Sequence, residues 1–470
     1  MRLLIGLAAL ALLPGTALTQ PARQAQVEVW LTTPDQKALL APQPSLMLAP
    51  GAAGSGAIRV DPTKRYQAMV GFGAAITDAS AWLIQRKLSP EQRGKLLAEL
   101  FGPQGIHLSF TRLTIGASDF SRTHYSYDDM PKGQRDPTLA RFSIAPAKAE
   151  VLPTVRAARA INPKLTVMVS PWSAPGWMKT SDSLVQGSLR DDAYGPFAAY
   201  LVRTVKAFTA EIGPIDYLSI QNEPDFEPDN YPGMRLSAAQ RVRAIKLLGP
   251  ELQRAGLGTR ILDWDHNWDL PGQPLGVLAD AAAAQYVSGV AWHCYKGDVS
   301  AQSQVRDRHP DKDVFFTECS GGEWSKPWPD SWVWAIRTLV MGSPRNWARG
   351  VLLWNLALDE NHGPHLGGCG DCRGVVTIDS KTGAVTRNPE YYALGHASRF
   401  VAVGAHRIAS DSKPDGIETV AFLNPDGSRV LLAFNAGKMP EEMRVDADGR
   451  HFAYSLAPNA AATFRWRAPR

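Results

Sequence analysis

Two stretches of this chain run through strand-forming residues and stop at a glutamate: Ser219-Ile220-Gln221-Asn222-Glu223-Pro224 and Phe315-Phe316-Thr317-Glu318-Cys319. A carboxylate at the C-terminal mouth of a buried strand is poorly solvated and rigidly held. One such residue is most often a solvated cap. Two of them on separate strands of one barrel supply what cleavage of a glycosidic bond requires, a proton for the leaving oxygen and a nucleophile at carbon. Glu223 reads as the acid, with its pKa raised by burial and by the second carboxylate, and Glu318 as the nucleophile. Pro224 removes a backbone donor and bends the chain out of the strand. Asn222, beside the acid, is placed to hydrogen-bond the sugar hydroxyl next to the reacting carbon. His293 and Tyr295 stand two apart and share a strand face, from which Tyr295 can reach Glu318. Asp78 is a candidate for gripping sugar hydroxyls, and Trp172 and Trp354 for stacking on sugar rings. Plainer readings stand beside these: a helix N-cap for Asp78, a hydrogen-bonded core imidazole for His293, core indoles for the tryptophans.

Those residues need a common frame, and the chain between about 66 and 400 supplies one. Strand-like runs cover Ala68 to Ala75, Ser109 to Ile115, Leu165 to Ser170, Tyr217 to Gln221, Arg260 to Trp264, Ser288 to Trp292, Val314 to Thr317 and Gly350 to Leu353. Helical patterns alternate with them, among them Pro90 to Leu100, Ala147 to Ala160, Pro196 to Glu211, Ser237 to Ala255 and Ser331 to Met341. Ser89-Pro90-Glu91 opens a helix well, with Ser as N-cap and Pro in the first turn. The runs are near-continuously apolar, as strands buried on both faces are. Eight strand-plus-helix units in series predict an α/β fold, a (β/α)8 TIM barrel, whose strand C-termini carry the functional groups.

After residue 400 short strands replace the alternation: Ile417 to Phe422, Val430 to Phe434, Met443 to Val445, His451 to Leu456 and Ala461 to Trp466, with Asn424-Pro425-Asp426-Gly427 as a turn. Gln26 to Thr32 is strand-like too. We expect it to join the same module, an all-β sandwich side domain built from both termini. The Gly/Ala-rich stretch Ala49 to Ala57 reads as a flexible connector. The expected divisions are a leader over 1–19, an N-terminal strand and connector over 20–65, the barrel over 66–400 and the sandwich over 401–470. Arg2 followed by the apolar stretch Leu3 to Leu13 and small residues at Gly15 and Ala17 has the form of a secretory signal. Export to the periplasm or the medium follows from it.

The 470 residues are 44% hydrophobic and 20% charged, with a formal charge of +5 spread along the chain, so no basic run marks a nucleic-acid partner. The 14 Trp and 12 Tyr suit sugar binding better. No second apolar stretch is long enough for stable membrane insertion. Cys369-Gly-Asp-Cys372 reads as a small local disulfide, since no second ligand pair completes a zinc site. Strand parity turns Cys294 and Cys319 away from the barrel interior on adjacent strands, where either a disulfide or two buried thiols fits. Neither thiol faces the mouth. With no metal-ligand cluster and no phosphate loop, no cofactor is expected.

Several stretches together resemble glycoside hydrolase family 30, the glucosylceramidase and endo-β-1,6-glucanase family. They are Gly71-Phe72-Gly73-Ala74-Ala75-Ile76-Thr77-Asp78, Ser170-Pro171-Trp172-Ser173-Ala174-Pro175-Gly176-Trp177-Met178-Lys179, Asn222-Glu223-Pro224, Trp354-Asn355-Leu356-Ala357-Leu358 and Tyr392 to Phe400, in the family's order. The resemblance implies a retaining mechanism with Glu223 as acid/base and Glu318 as nucleophile, and a sandwich domain fed by both termini. His293-Cys294-Tyr295, Glu318-Cys319-Ser320-Gly321, Asp229 to Met234 and the Cys369 to Gly374 loop look more like the β-1,6-glucanase branch. The implied partner is a β-glucan or other β-glucoside, met by a monomeric chain. Glucosylceramide or a small β-glucoside is the alternative substrate, and an inactive sugar-binding barrel the reading from a different class.

Overall fold

The computed structural model describes residues 26–468, so the leader expected over 1–19 lies outside the described residues. Eight strands close into a barrel in chain order: β1 (Gly71–Ala75), β2 (Phe110–Ile115), β3 (Thr166–Pro171), β4 (Tyr217–Ser219), β5 (Arg260–Asn267), β6 (Val287–His293), β7 (Asp313–Glu318) and β8 (Ala348–Asn355). Every ladder is parallel. Val70, Phe110, Met168, Tyr217, Leu262, Ala291, Phe315 and Leu352 meet inside it as one apolar layer. Two residues further along several strands, polar side chains take over, and the functional end of the barrel begins. β1 comes so close to β2 that a Cβ on Gly73 would lie 1.8 Å from the Phe110 carbonyl oxygen, which only glycine permits there.

The connecting helices begin where the sequence signals them. Ser89 caps helix Pro90–Phe101 and exchanges hydrogen bonds with Gln92 in a capping box; Ser237 and Gln240 do the same for helix Ala238–Arg254. The helix expected over Ser331 to Met341 is split, with an α-helical turn at Trp328–Val333 continuing as a π-helix over Trp334–Gly342. β4 is shorter than expected. Beyond Ser219 the chain leaves the ladder, and the N–H groups of Asn222 and Glu223 donate to Pro171 O (2.8 Å) and Asp265 O (3.0 Å) instead.

The β domain contains one sheet of ten strands. Gln26–Thr32 pairs with Ala461–Arg467, so both ends of the chain do build it. Phe452, near one end of the sheet order, packs on Phe464 and Trp466 near the other, with ring centroids 5.1 and 5.8 Å apart. The sheet therefore folds over on itself into two layers around a separate core. The connector and barrel boundary differ from expectation. Ala49–Pro50 pairs with Arg450 and His451. Ile58–Ala68 is a long strand of this domain, paired with His406–Ser410 and Glu441–Ala447, so the chain enters the barrel only after Ala68.

Strands Ile417–Leu423 and Ser428–Asn435 join the two domains. Ala421, Leu431 and Ala433 face the sandwich core, while Val420, Phe422, Val430, Leu432 and Phe434 belong to the core shared with the barrel. Period-two alternation thus serves two apolar cores at once. At the same junction the buried His396 of helix Pro389–Ser398 lies 2.8 Å from both Thr32 Oγ1 and Thr463 Oγ1 of the two terminal strands.

Burial holds the His396 imidazole down to about 3. A histidine in the unfolded chain titrates near ~6.5. Below that value the unfolded state binds the additional proton, so the stabilisation is complete above pH ~6.5 and is lost as pH falls toward ~3. We predict that His396→Gln is less stable than wild type at about pH 7.5. Between about pH 7.5 and about pH 5 it should lose about 2 kcal/mol less than wild type. Denaturant unfolding at both pH values measures this, and equal pH slopes for the two proteins would exclude it.

Candidate active site

The polar layer is organised by a buried ion pair between Arg112 on β2 and Asp265 on β5. Asp265 reaches the interior through a backbone irregularity. Leu262 points inward with the apolar layer and Asp263 outward, where Arg241 Nε donates to it at 2.8 Å. Strict alternation would send Asp265 outward as well. Trp264 and Asp265 instead adopt left-handed φ values of 74° and 52°, and the register with β6 slips between Ala291↔Trp264 and Trp292↔His266. The bulge returns Asp265 to the interior. There its Oδ2 accepts from Arg112 Nη2 (2.7 Å), Ser219 Oγ (2.5 Å) and Ser170 Oγ (2.9 Å). Its Oδ1 accepts from Thr317 Oγ1 (2.7 Å) and lies 3.0 Å from His293 Nε2. Burial pushes the Asp265 carboxyl up, but Arg112, His293 and Ser219 outweigh it and hold the group far below the ordinary carboxylate range.

Arg112 spreads its remaining donors over the two residues beside the chemistry. Nη1 donates to Glu318 Oε2, and Nη2 to Asn222 Oδ1 at 2.7 Å. That fixes the Asn222 amide with its nitrogen left to donate elsewhere. A second register slip, between Trp292↔Phe316 and His293↔Glu318, lets both Thr317 and Glu318 reach the interior. The Tyr295 hydroxyl donates to Glu318 Oε1 at 3.0 Å, as the spacing suggested. Burial and the neighbouring Glu223 carry the Glu318 carboxyl above its ordinary value, while His293 and Arg112 pull against that. Both of its oxygens accept hydrogen bonds, one from a guanidinium, and these favour the ionised form.

Glu223 follows β4 in a left-handed conformation (φ 48°), which a residue before proline rarely adopts. The Asp265 carbonyl that receives its N–H holds it there. Its Oε1 is 3.1 Å from His293 Nδ1 and 3.8 Å from His266 Nε2. Burial opposes a charged imidazole at His293, yet Glu318, Asp265 and Glu223 around it lift it to about 9. Burial also pushes Glu223 up, but the bond to His293, with His266 and Arg112, draws it below its usual value, the reverse of the raised carboxyl expected from the sequence. Glu223 and His293 therefore hold one proton between them at neutral pH.

These groups open into a cleft of about 710 Å³ lined by Asp119, Trp172, Asn222, Glu223, Phe226, Tyr231, Tyr295, Glu318, Trp324 and Trp354, with Cys369 and Cys372 at its wall. Lys179, itself buried, donates to Leu184 O (2.7 Å) and to Gly233 O (2.6 Å), just past the Pro228 to Tyr231 wall. Three more sequence expectations change here. Asp78 is not part of the lining. It sits in the first turn of a short helix capped by Thr77, paired with Arg122 at 3.1 Å and accepting from Tyr125 at 3.4 Å. His293 is fully buried and touches Glu223 and Asp265, so it positions groups and does not face the cleft. Trp172 and Trp354 do line the cleft, but they stack on each other (4.8 Å, 17°) and on Arg112, leaving each indole 3% exposed. They form a wall and not an open platform. The open rings are Trp324 (57% exposed), Phe226 (45%) and Tyr295 (43%).

Residue spacing alone does not single out Arg112, Asp119, Asp265, Phe226 or Trp324, all of which the fold brings to the site. Asp119 is the carboxyl that lines the cleft where Asp78 was expected. Burial, then Glu318 and Glu223, raise it to about 8, which favours the neutral acid, and its Oδ1 has no hydrogen-bond partner among the described residues. Ligand atoms of Glu223, His293 and Glu318 lie within 4.8 Å of one another, a spacing a cation could bridge, but Arg112 and the His293 proton already supply positive charge there. Both cysteine pairs are disulfides, Cys294–Cys319 and Cys369–Cys372.

A family model described as the glycosyl hydrolase family 30 TIM-barrel domain matches residues 69–401, and one described as the family 30 beta sandwich domain matches residues 404–464. The chain is 36% identical over 415 residues to Endo-1,6-beta-D-glucanase neg1 of Aspergillus fumigatus, covering 82% of each. It is 29% identical over 443 residues to the lysosomal acid glucosylceramidase of Mus musculus, covering 87% of this chain and 83% of that one. Among solved structures, the endo-beta1,6-glucanase BT3312 matches with a TM-score of 0.87 at 32% identity, over 94% of this chain and 99% of that one. The chain is a glycoside hydrolase and belongs to glycosyl hydrolase family 30.

Proposed function

We propose that this enzyme cleaves β-1,6-glucan internally with retention of configuration, Glu318 attacking carbon and Glu223 serving as acid and then base. One distance carries the reading. A carboxylate oxygen of Glu223 and one of Glu318 lie within 4.8 Å. Direct attack needs such a gap, whereas an inverting enzyme holds its carboxyls ~6.5–9.5 Å apart to admit water. The anionic Glu318 attacks the anomeric carbon while the proton held between His293 and Glu223 goes through Glu223 to the leaving oxygen. Water then enters, Glu223 takes its proton, and the Glu318 ester is released. The Asn222 amide nitrogen donates to the sugar hydroxyl beside the reacting carbon, and the neutral Asp119 grips another hydroxyl. Relatives named endo-1,6-beta-D-glucanases support the linkage, and a cleft with open aromatic rings along its wall suits a chain of sugar rings. We infer an exported enzyme acting as a single chain, a setting compatible with its two disulfides.

Glucosylceramide is the second reading, favoured by relatives that carry the name glucosylceramidase. Side-by-side digestion separates the two. We predict short gluco-oligosaccharides from linear β-1,6-glucan with glucosylceramide left intact. Glucose and ceramide released from the lipid, with the polymer untouched, would reverse the substrate assignment.

Glu223→Ala should lower turnover of the polymer by at least about a thousandfold and of activated aryl glucosides far less. Azide should restore part of the rate on the aryl substrate as a β-glucosyl azide. Equal losses on both substrates without rescue would take Glu223 out of the acid/base role.

A further inference from the structure

The covalent link at the ends of β6 and β7 joins residues directly beside the chemistry. The β6–β7 ladder finishes with His293 opposite Glu318. The next residue on each strand is a cysteine, and Cys294 and Cys319 are bonded across the gap with their Cα atoms 5.4 Å apart. On one side of the bridge Cys294 is followed by Tyr295, whose hydroxyl donates to Glu318. On the other, Cys319 follows Glu318 itself. Tyr295 lies past the last ladder pair and its ring is 43% exposed. Its backbone N–H is held by Asn267 Oδ1 at 3.0 Å, and its side chain by the bond to Glu318. Cys319 is buried, and its carbonyl accepts from Trp354 N at 2.8 Å, which anchors that side to β8.

We propose that the Cys294–Cys319 disulfide is a positioning element for the reaction, holding the exposed Tyr295 against Glu318 so that the nucleophile keeps its second donor. The proposal rests on the role of Glu318 given above. Glu318 is anchored from the barrel side by Arg112 whether or not the disulfide is present. Tyr295 is held less firmly: its strand has ended, its backbone has the one bond to Asn267, and its half-exposed ring meets the His293 ring edge-on at 6.2 Å. Without the bridge the Tyr295 hydroxyl is away from Glu318 most of the time, and the carboxylate is less well fixed for attack. Binding of the sugar by Asn222, Asp119 and the rings of Phe226 and Trp324 does not pass through the bridge, so the loss falls mainly on kcat, with a smaller effect on KM through the Tyr295 ring. The titratable groups facing Glu318 are Arg112, Glu223, His293, Tyr295, Asp119 and Tyr231. Of these, only Tyr295 is released by opening the bridge. A carboxylate that loses a donor becomes easier to protonate. The acid limb of the kcat/KM profile then moves to higher pH.

The test is a cycle of three variants: Cys294→Ala/Cys319→Ala, Tyr295→Phe, and the triple combination. The cysteine pair and Tyr295→Phe should each lower kcat by about tenfold, the factor for one hydrogen bond to a charged group. Each should move the acid limb upward with KM little changed. The triple variant should be no worse than Tyr295→Phe alone, because the bridge acts through that hydroxyl. Losses that multiply to about a hundredfold in the triple variant, or an unshifted acid limb in the cysteine variant, would overturn the proposal. A cysteine variant that fails to fold would be replaced by the Cys369→Ser/Cys372→Ser chain, in which Cys294–Cys319 is the remaining disulfide. Dithiothreitol then opens it to two thiols and is itself oxidised to the cyclic disulfide. A kcat loss on reduction that disappears when Tyr295→Phe is added supports the proposal, and one that persists removes it. Glu318→Gln belongs in the same series. Near-normal activity there would refute the nucleophile assignment itself, whereas multiplied losses alongside an inactive Glu318→Gln refute only the positioning role of the bridge.

Discussion

The Arg112–Asp265 pair is the interaction on which the functional end of the barrel depends. Two charges out of contact with solvent carry a large desolvation cost, and a buried pair is favoured where its remaining donors and acceptors find partners. Asp265 meets that condition with Arg112, Ser170, Ser219, Thr317 and His293 drawn from β2, β3, β4, β6 and β7 around its own β5. One carboxylate thus ties six strands together on the plane where the reaction takes place. Removing one member of such a pair costs about 3–5 kcal/mol, because the other is left buried and uncompensated. Arg112 turns the pair to functional use by directing Nη1 at Glu318 and Nη2 also at Asn222, while its buried Nε finds no partner among the described residues. The positive charge stands beside the nucleophile before any substrate arrives, so little reorganisation is needed during the reaction.

The same layer sorts the carboxyl groups into different jobs. Asp265 is locked as an anion by its many donors. Glu318 is an anion with a guanidinium and a phenol on it. Glu223 shares a proton with His293, whose other nitrogen is turned to Asp265. Asp119, with no cation bonded to it, is a neutral acid facing the cleft. Four carboxyls within one site thus differ because burial acts on all of them while the compensating partners do not. The β domain contributes from below. Its doubly buried strands share a core with the barrel, and Arg337 of the barrel's π-helix pairs with Glu418 of the sandwich through Nε (2.9 Å to Oε2) and Nη2 (to Oε1).

Most of the barrel was legible because strands buried on both faces write themselves as apolar runs, and polar residues mark their ends. The two glutamates, Asn222 and the reach of Tyr295 to Glu318 follow from such ends. What parity could not reveal is where it breaks. Asp265 stands at a strand end in the sequence with nothing to show that a bulge at Trp264 turns it inward. Arg112 did leave a signal, as a lone charge within the apolar run Phe110-Thr-Arg-Leu-Thr-Ile115. Asp78 and Asp119 both follow barrel strands, and choosing between them needed the loop path that brings Arg122 onto Asp78. Strand Ala41–Met47 was hidden by its two prolines, tolerable because it is the sheet's edge. Ile58–Ala68 was hidden by Pro62 and its charges, which fall where its register with His406–Ser410 shifts.

The most direct test of this arrangement is covalent trapping. A 2-deoxy-2-fluoro-β-glucoside with a good leaving group should form a long-lived ester, and peptide mass mapping should find the sugar on Glu318. A label on any other carboxylate, or release of an α-configured first product with no adduct, would contradict the role assigned to the Arg112-paired carboxylate.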